Sequence, residues 1–287
     1  MKNILKESLK ITNNSIILAI PLIIFVKLVD LYSMFSKYHI DSAPKLLIAS
    51  ITLMCMISVF AAGWFYMVKS AIELSKKEFI LDKDRAKESF GLIKSMLSGV
   101  GRYFMSFIGV ICIYVFVIQI IATQIVWIVG RYLIGSLDAE SMKTLQEISL
   151  SAASSNSSMS LLLDNMTPEM ITFFGKWSLL FVVVTCVITY LLMLWFPEII
   201  YGETNPVKAL GISIVKLFKD FKGTFSLYLV LWSIGFLILF LNTFSIMLNP
   251  VLYLLISILM FYFFVYVIIC VFLYYDKKYV LEGNEEE

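Results

Sequence analysis

Two residues of opposite charge, Lys27 and Asp30, lie three positions apart inside an apolar stretch that runs from Ile11 to Phe35. A charged side chain at the centre of a membrane span costs about 2.5–3.5 kcal/mol on insertion scales, so it usually faces the bundle interior or a wet cavity. This placement predicts candidate substrate or ion residues, for a substrate, a headgroup or a proton. The alternative is a pair that neutralises itself at i,i+3 spacing and extends toward the outer half of the span.

Gln119 and Gln124 are a second pair of candidate substrate or ion residues, because they lie with Thr123 in the uncharged run Tyr103–Gly130. Polar side chains in a membrane span line a cavity or hydrogen-bond between helices, and such bonds contribute only about 0.6 kcal/mol on average. Both interpretations stay open, and helix packing is the simpler one.

Catalytic and metal-binding patterns are scarce in the sequence. The chain has one histidine, His39, and its four cysteines lie singly in different apolar runs. A histidine-based metal site and a Ser/His/Asp triad are therefore poorly supported, and no phosphate-binding glycine-rich motif is present. We predict no catalytic residue, no metal and no cofactor. Enzyme activity stays open, and the scarcity of motifs favours its absence.

Lipid must cover much of this chain, because 60% of its 287 residues are hydrophobic and only 15% are charged. Soluble domains are about 45–50% apolar and about 25% charged. The apolar runs that are long enough to span a membrane are Ile11–Phe35, Leu46–Val68, Tyr103–Gly130, Trp177–Phe196 and Gly223–Tyr275. The last run has 53 residues and a polar turn near Asn249 and Pro250, so it should form two spans, 223–244 and 250–275.

Solid apolar runs are typical of helices rather than barrel strands, so the predicted fold class is an all-α integral membrane protein with six transmembrane helices. The basic residues give the orientation. With the N-terminus inside, seventeen of the 23 lysines and arginines fall in inside segments, five fall in outside segments, and Lys27 is in the membrane. Cytoplasmic loops carry the excess of positive charge. We therefore predict that both termini are cytoplasmic and that a loop at 135–170 is external.

The segment NPVKALGISIVKLFKDFKGTF (205–225) predicts an amphipathic helix that lies in the membrane interface. Asn205 suits the N-cap and Pro206 suits the first helical position. At 100° per residue the apolar side chains share one arc, and the lysines lie on the opposite side. Such a helix places aromatic rings at the acyl boundary and lysines among anionic headgroups. We call this type of helix an elbow.

A similar pattern occurs at 86–104, and a shorter one opens the chain. The residues predicted to contact anionic lipid are therefore Lys87, Lys94, Arg102, Lys208, Lys216, Lys219 and Lys222. If each elbow precedes an out-and-back pair of spans, the chain has an internal repeat of three units, roughly 1–70, 84–200 and 203–276. All three lie within a single membrane domain, 1–287.

Residues 195–236 resemble a recurring bacterial pattern. A span ends in an aromatic-Pro-acidic group, here Phe196-Pro197-Glu198, and a polar turn, an amphipathic helix and a new span follow. The helix pattern is matched at Ala209, Leu210, Ser213 and Phe221, whereas the leucine and lysine in its middle, Leu217 and Lys219, each come one position late. The stretch is similar to YciC-like inner-membrane proteins and to the membrane domain attached to some glycerophosphodiester phosphodiesterases. The resemblance implies a polytopic helical membrane domain and no catalytic residues, since no hydrolase domain accompanies the stretch.

These patterns favour a multi-pass protein of the bacterial inner membrane that handles lipids or small molecules, as a transporter-like or lipid-binding protein. The alternatives are a non-catalytic membrane scaffold or accessory subunit, and an intramembrane lipid-modifying enzyme. A polar cavity that reaches Lys27 and Asp30 would favour the first function, and a filled core would favour the second. Membrane lipids with anionic headgroups at the cytoplasmic leaflet are the expected partners. No nucleic acid is expected, because the lysines adjoin apolar spans, and a membrane-protein partner or a homo-oligomer stays open.

Overall fold

The computed structural model describes the backbone of residues 2–77, 82–136, 143, 167–202 and 204–281, and their side chains except at 82–87, 246 and 247. Regular structure in this part of the chain is helical. The helices are α1 (Lys2–Asn14), α2 (Ala19–His39), α3 (Ala43–Ser75), α4 (Asp82–Ile113), α5 (Gln119–Leu133), α6 (Pro168–Leu191), α7 (Trp195–Tyr201), α8 (Pro206–Lys219), α9 (Phe221–Leu248) and α10 (Pro250–Tyr275). A 3-10 turn at Ile16–Leu18 and π turns at Tyr114–Ile118 and Asp276–Leu281 adjoin them.

Among the described residues, six helical stretches are long and apolar enough to cross a membrane, as the sequence predicts. They cover Ile16–His39, Ala43–Ser75, Glu88–Leu133, Pro168–Tyr201, Phe221–Ser245 and Pro250–Leu281. Helices suit such sequences because every backbone N–H and C=O inside lipid must be satisfied within the protein, and a helix does so locally. These stretches indicate a multi-pass membrane protein.

The longest uncharged run is divided at the predicted turn. α9 ends at Leu248, and Asn249 adopts extended backbone between the two helices. The Asn249 side chain accepts a hydrogen bond from the Val251 N–H at 2.8 Å. Pro250 occupies the first helical position of α10, where the missing N–H would have no partner within the helix.

The residues form two compact units. Unit 1 comprises Met1–Ile113 and Tyr190–Glu287, and unit 2 comprises Tyr114–Thr189. The prediction of a single membrane domain stays a prediction. The predicted external loop at 135–170 lies mostly outside the described residues, which include 135, 136, 143 and 167–170 of it.

In unit 1, α3 and α4 are packed closely because glycines bring their backbones together. A Cβ on Gly99 would lie 2.5 Å from the Tyr66 Cβ and 2.8 Å from the Ala62 carbonyl oxygen. A Cβ on Gly63 would lie 2.8 Å from the Met96 carbonyl oxygen. Small residues allow this approach between membrane helices, where van der Waals contact replaces the hydrophobic effect as the main attraction.

Stacked aromatic rings fill the core of unit 1 beside this helix pair. The centroid of the Phe65 ring lies 5.6 Å from that of Phe107, 4.8 Å from that of Phe196 and 5.6 Å from that of Phe272. Phe107 and Phe272 are each 1% exposed. Aromatic pairs contribute about 0.5–1.5 kcal/mol beyond the area they bury, so this stack fastens α3, α4, α7 and α10 to one another.

The elbow predicted at 205–225 contains a separate helix, α8, with a cap at its start. The Asn205 side chain accepts hydrogen bonds from the N–H groups of Val207 and Lys208 at 3.1 and 3.2 Å. At the other end, the Asp220 carboxylate accepts a hydrogen bond from the Gly223 N–H at 3.3 Å and thereby caps α9. These two caps separate the elbow helix from the spans on either side.

The two other segments with elbow-like sequences differ from each other. The segment 86–104 is not a separate helix, because α4 continues without a break from Asp82 to Ile113. Gly99 of this segment lies against α3, and no proline or capped break divides the segment from the span. α1 is a separate helix that ends before Ser15, where the 3-10 turn begins. The three-unit repeat stays a prediction.

Unit 2 contains the π turn at 114–118, α5 and the greater part of α6. Gly130 of α5 lies directly against the indole ring of Trp177 in α6, so that a Cβ at residue 130 would overlap the ring. This glycine therefore allows the two helices of unit 2 to meet.

Candidate functional site

A buried carboxylate, that of Glu198, is the centre of a polar cluster in unit 1. Its Oε2 lies 2.8 Å from the Lys216 Nζ and accepts a hydrogen bond from the Tyr275 hydroxyl at 2.7 Å. The Lys216 Nζ also donates to the Tyr275 Oη at 2.5 Å. Glu198 is only 2% exposed. We call these three residues the Glu198 cluster.

Each member of the Glu198 cluster comes from a different helix. After α6 the chain turns at 192–194, and α7 begins at Trp195. The Trp195 Nε1 donates to the Pro206 carbonyl oxygen at 2.9 Å, which ties the start of α8 to α7. Lys216 lies in the last turn of α8, and Tyr275 is the last residue of α10. The cluster therefore fastens the elbow helix at its second end.

Both charges of the cluster are closely partnered. Removal of a carboxylate and an ammonium from water costs several kcal/mol per ion, and only close pairing with further hydrogen bonds offsets that cost. The Lys216 ammonium also lies 4.8 Å from the centre of the Tyr275 ring and 5.4 Å from that of Tyr279. The Tyr279 hydroxyl donates to the Lys216 carbonyl oxygen at 2.9 Å. This arrangement is suited to holding helices together.

The end of α10 extends these contacts to two more helices. Asp276 is 2% exposed and forms an ion pair with Lys76, the C-cap residue of α3, with 2.6 Å between Oδ2 and Nζ. The next residue, Lys277, pairs with Glu7 of α1. The backbone changes to π geometry at Asp276, and such a change alters the directions of successive side chains. The three consecutive residues Tyr275, Asp276 and Lys277 thus connect the end of α10 to α1, α7, α8 and the end of α3.

Further hydrogen bonds fix the ends of α7 and α8. The Ile200 carbonyl oxygen of α7 accepts from the Tyr103 hydroxyl at 3.0 Å and from the Lys69 Nζ at 3.4 Å. The Asp220 carboxylate, just after α8, accepts from the Tyr274 hydroxyl. The position of the elbow helix is therefore determined by polar contacts at both of its ends.

Two cavities with polar linings lie in the described part of the chain, and neither is lined by a member of the Glu198 cluster. The first, of about 200 Å³, lies between α1, α3 and α4 of unit 1, and its polar lining residues are Glu7, Lys10, Asn14, Ser15, Ser75 and Ser89. The second is an open groove of about 490 Å³ at the end of α5 and the start of α6 in unit 2, with Glu169 and Lys176 in its lining. Both signs of charge line each cavity, which suits small polar or zwitterionic groups.

Lys27 and Asp30 pair with each other on the exposed face of α2. The Nζ–Oδ2 distance is 3.3 Å, and the side chains are 70% and 58% exposed. α2 packs on α3 through its other side, where Phe25 stacks on Phe60 and the Tyr32 hydroxyl donates to the α3 backbone. Neither described cavity includes the pair. The self-pairing considered from the sequence is present, and the role as substrate or ion residues stays a prediction.

Gln119 and Gln124 are both exposed in unit 2. The Gln119 Nε2 donates to the Tyr114 hydroxyl at 2.7 Å, and the Gln119 carbonyl oxygen accepts from the Thr123 hydroxyl at 2.8 Å. These bonds connect neighbouring turns of one helical stretch. A substrate or ion role for the two glutamines stays a prediction.

The residues predicted to contact anionic lipid differ in whether their side chains turn inward or are exposed. Lys216 is turned inward to Glu198, with a side chain that is 26% exposed. The side chain of Lys87 lies outside the described residues. The others are exposed: Lys94, Arg102, Lys208, Lys219 and Lys222. Their contact with headgroups stays a prediction.

The chain matches no protein-family model, no curated protein and no solved structure. The similarity of residues 195–236 to the YciC-like proteins and to the membrane domain of some glycerophosphodiester phosphodiesterases therefore stays a prediction. A function for this chain has to be argued from the chemistry of its own sites.

Glu198 and Asp276 are not identified as interacting residues by sequence reasoning, although a signal for them exists. Glu198 is the first charged residue after the uncharged run Trp177–Phe196, and Asp276 is the first after Gly223–Tyr275. A carboxylate that directly follows a span lies next to the buried end of a helix, and a buried carboxylate needs a cation or hydrogen-bond donors. The partner lysines, however, come from other helices, so only the fold identifies them.

Proposed function

We propose that this chain is a lipid-handling protein of the bacterial cytoplasmic membrane, with both termini in the cytoplasm, whose elbow helix α8 holds anionic headgroups. The lysines on α8 and at the start of α9 differ in exposure, and this difference supports the proposal. Lys216 fixes the helix through Glu198, whereas Lys208, Lys219 and Lys222 are exposed. A helix that is fastened to the spans presents its exposed lysines at a constant depth, because it moves with them.

Exposed apolar side chains accompany these lysines. The exposed fractions are 65% for Val207, 67% for Val215, 58% for Phe218 and 46% for Phe221. Large apolar side chains that cluster on an exposed surface usually have a partner, and lipid is the natural one beside six apolar spans. Exposed aromatic rings and lysines on α8 and on the first turn of α9 fit the boundary between acyl chains and headgroups.

Lipid analysis of a charge-neutral elbow tests this proposal. Wild-type protein and the variant Lys208→Gln/Lys219→Gln/Lys222→Gln are reconstituted in vesicles of phosphatidylglycerol and phosphatidylethanolamine. They are then extracted in mild detergent, and the retained lipids are quantified by mass spectrometry. Each lysine near an anionic surface contributes about 1 kcal/mol, so the variant should retain at least about fivefold less phosphatidylglycerol.

The control variant is Lys37→Gln/Lys45→Gln/Lys176→Gln, which removes the same charge from segments predicted to be external. It should retain phosphatidylglycerol at the wild-type level. Equal lipid retention by the two triple variants would show that α8 has no special affinity for anionic headgroups.

The second candidate function is a non-catalytic membrane scaffold or accessory subunit. The aromatic stack of Phe65, Phe107, Phe196 and Phe272 favours it, because a filled core suits a structural role better than a passage for substrate through unit 1. A membrane protein that co-purifies in a fixed ratio, together with lipid retention that does not depend on the elbow lysines, would support this candidate over the first.

A further inference from the structure

The charged pair on α2 lies deep in the first span and points away from the core of unit 1. The span covers Ile16–His39, so Lys27 is about 16–18 Å from either end at 1.5 Å per residue. Phe25 and Tyr32, which contact α3, lie more than about 100° around the helix from Lys27. Ionised groups at this depth usually face protein or water, because hydrocarbon does not solvate them.

Large apolar side chains extend this face in both directions from the pair. They share the side of α2 that carries Lys27 and Asp30, and all are at least half exposed: Ile20 51%, Ile24 54%, Leu31 62%, Met34 62% and Tyr38 81%. The face is therefore a mainly apolar strip with one positive and one negative charge at its centre, and the exposed Lys37 lies on the Asp30 flank near the end of α2.

We infer that this face of α2 is the interface between two copies of the chain, whose α2 helices pack in parallel about a two-fold axis along the membrane normal. Lys27 and Asp30 are about 60° apart around the helix, so they lie on opposite flanks of the line of contact. A two-fold axis brings the Lys27 flank of one copy beside Asp30 of the partner subunit, and the reverse. Charges on the flanks of parallel coiled coils pair in the same way.

A second copy offers partners for the remaining donors of the Lys27 ammonium and the remaining acceptor capacity of the Asp30 carboxylate, which hydrocarbon does not. The intrahelical ion pair, at 3.3 Å, uses one of the three donors of the ammonium and part of the acceptor capacity of the carboxylate. In the dimer each ion gains a second partner of opposite charge, and both leave the lipid-facing surface. Symmetry supplies the complementary charge automatically, so a second copy is the occupant that we assign to this face.

Charge reversal tests the interface. Asp30→Lys leaves only positive charge at the centre of the face, and Lys27→Asp leaves only negative charge there. Each variant alone should dimerise at least about tenfold more weakly than wild type, because two interhelical ion pairs are replaced by repulsion. A mixture of the two variants should form heterodimers, and Lys27→Asp/Asp30→Lys in one chain should restore the homodimer. Subunit number is measured by single-molecule photobleaching in liposomes over a range of protein-to-lipid ratios, with native mass spectrometry as a second method.

The ion pair of Asp41 and Lys45 is the matched control. It is exposed and has an Nζ–Oδ2 distance of 2.7 Å; Asp41 lies between the first two spans and Lys45 lies in the first turn of the second. The Lys45 ammonium donates a hydrogen bond to the Asp41 carboxylate and holds the pKa of that carboxyl below its usual value. Asp41→Lys should leave the dimer unchanged.

Three results would overturn the inference: a wild-type protein that is monomeric in liposomes, charge-reversed variants that dimerise like wild type, or a mixture without heterodimers. If a single charge reversal prevents membrane insertion, Lys27→Asp/Asp30→Lys tests the interface instead, because this variant keeps one positive and one negative charge in the span. A double-exchange variant that inserts but stays monomeric where wild type dimerises would also contradict the proposed symmetry.

Discussion

Lys216 and Glu198 show how a single residue can determine the place of a helix. The lysine belongs to a row of basic residues on an amphipathic helix, yet its ammonium lies 2.8 Å from a carboxylate that is almost completely buried. Because the partner is buried, loss of the lysine would leave a charge that neither water nor another cation of the cluster compensates. Neighbouring exposed lysines carry no such penalty.

We predict that Lys216→Met lowers the free energy of unfolding by about 3–5 kcal/mol, the usual effect of breaking a buried pair. Glu198→Met/Lys216→Met should be more stable than Lys216→Met alone, because no unpaired buried charge remains. Thermal unfolding in mild detergent, followed by tryptophan fluorescence, measures the difference. Lys219→Met, on the exposed side of the same helix, should change stability by no more than about 0.5 kcal/mol. A double variant no more stable than Lys216→Met would argue against a buried charge as the cause.

At the scale of elements, similar amphipathic sequences have produced different structures. Residues 206–219 form a short separate helix because Asn205 caps its start and Asp220 both ends it and caps the next helix. Residues 86–104 belong to one long helix, because no such break occurs there and Gly99 lies against α3. Local capping therefore decides whether an amphipathic segment turns away from its span or continues into it.

Two glycines of α4 give a matched test of the α3–α4 contact. Gly99→Ala should lower stability by about 1–3 kcal/mol, because the added methyl group meets the Tyr66 Cβ and the Ala62 carbonyl oxygen. Gly101→Ala should raise stability by up to about 1 kcal/mol, because a Cβ there meets nothing within 4 Å and alanine favours the helix. Unfolding in detergent under the same conditions gives both values. Equal effects of the two changes would mean that close packing at Gly99 is unimportant.

At the scale of the whole molecule, the strongest prediction from sequence that still needs an experiment is orientation. Seventeen basic residues fall on one side of six spans and five on the other. If positive charge decides the topology, both termini lie on the cytoplasmic side of the membrane.

Reporter fusions in a bacterial host measure this topology. A green fluorescent protein fused after Glu287 should fluoresce, because it folds in the cytoplasm. An alkaline phosphatase fused after Asp41, between the first two spans, should be active, because it folds outside. The reverse pair of fusions, with phosphatase after Glu287 and fluorescent protein after Asp41, should both be inactive. Activity of the reverse pair would place the termini outside.

The sequence predicts the number of spans, their approximate positions, the turn at Asn249 and Pro250, and an amphipathic helix that begins at Pro206. The predicted helix extends to residue 225, whereas the structure ends it at Lys219 because Asp220 caps the next helix. These features follow from local physics: uninterrupted apolar runs, prolines at first helical positions and capping side chains act within a few residues. The i,i+3 pairing of Lys27 and Asp30 was open to prediction for the same reason, since helical spacing alone brings the two side chains together.

Only the tertiary structure decided which charged residues are buried and with which partners. Glu198 with Lys216, Asp276 with Lys76 and Glu7 with Lys277 each join different helices, so no periodicity along the chain relates them. The direction of Lys27 and Asp30 relative to the core is also decided by the tertiary structure, because it depends on which side of α2 packs on α3. The pattern of apolar runs predicts six helices that can span a membrane, and the described part of the chain has six such helices. The fold determined which of the described charges hold the helices together and which face outward, because pairing across helices depends on distances that local sequence does not contain.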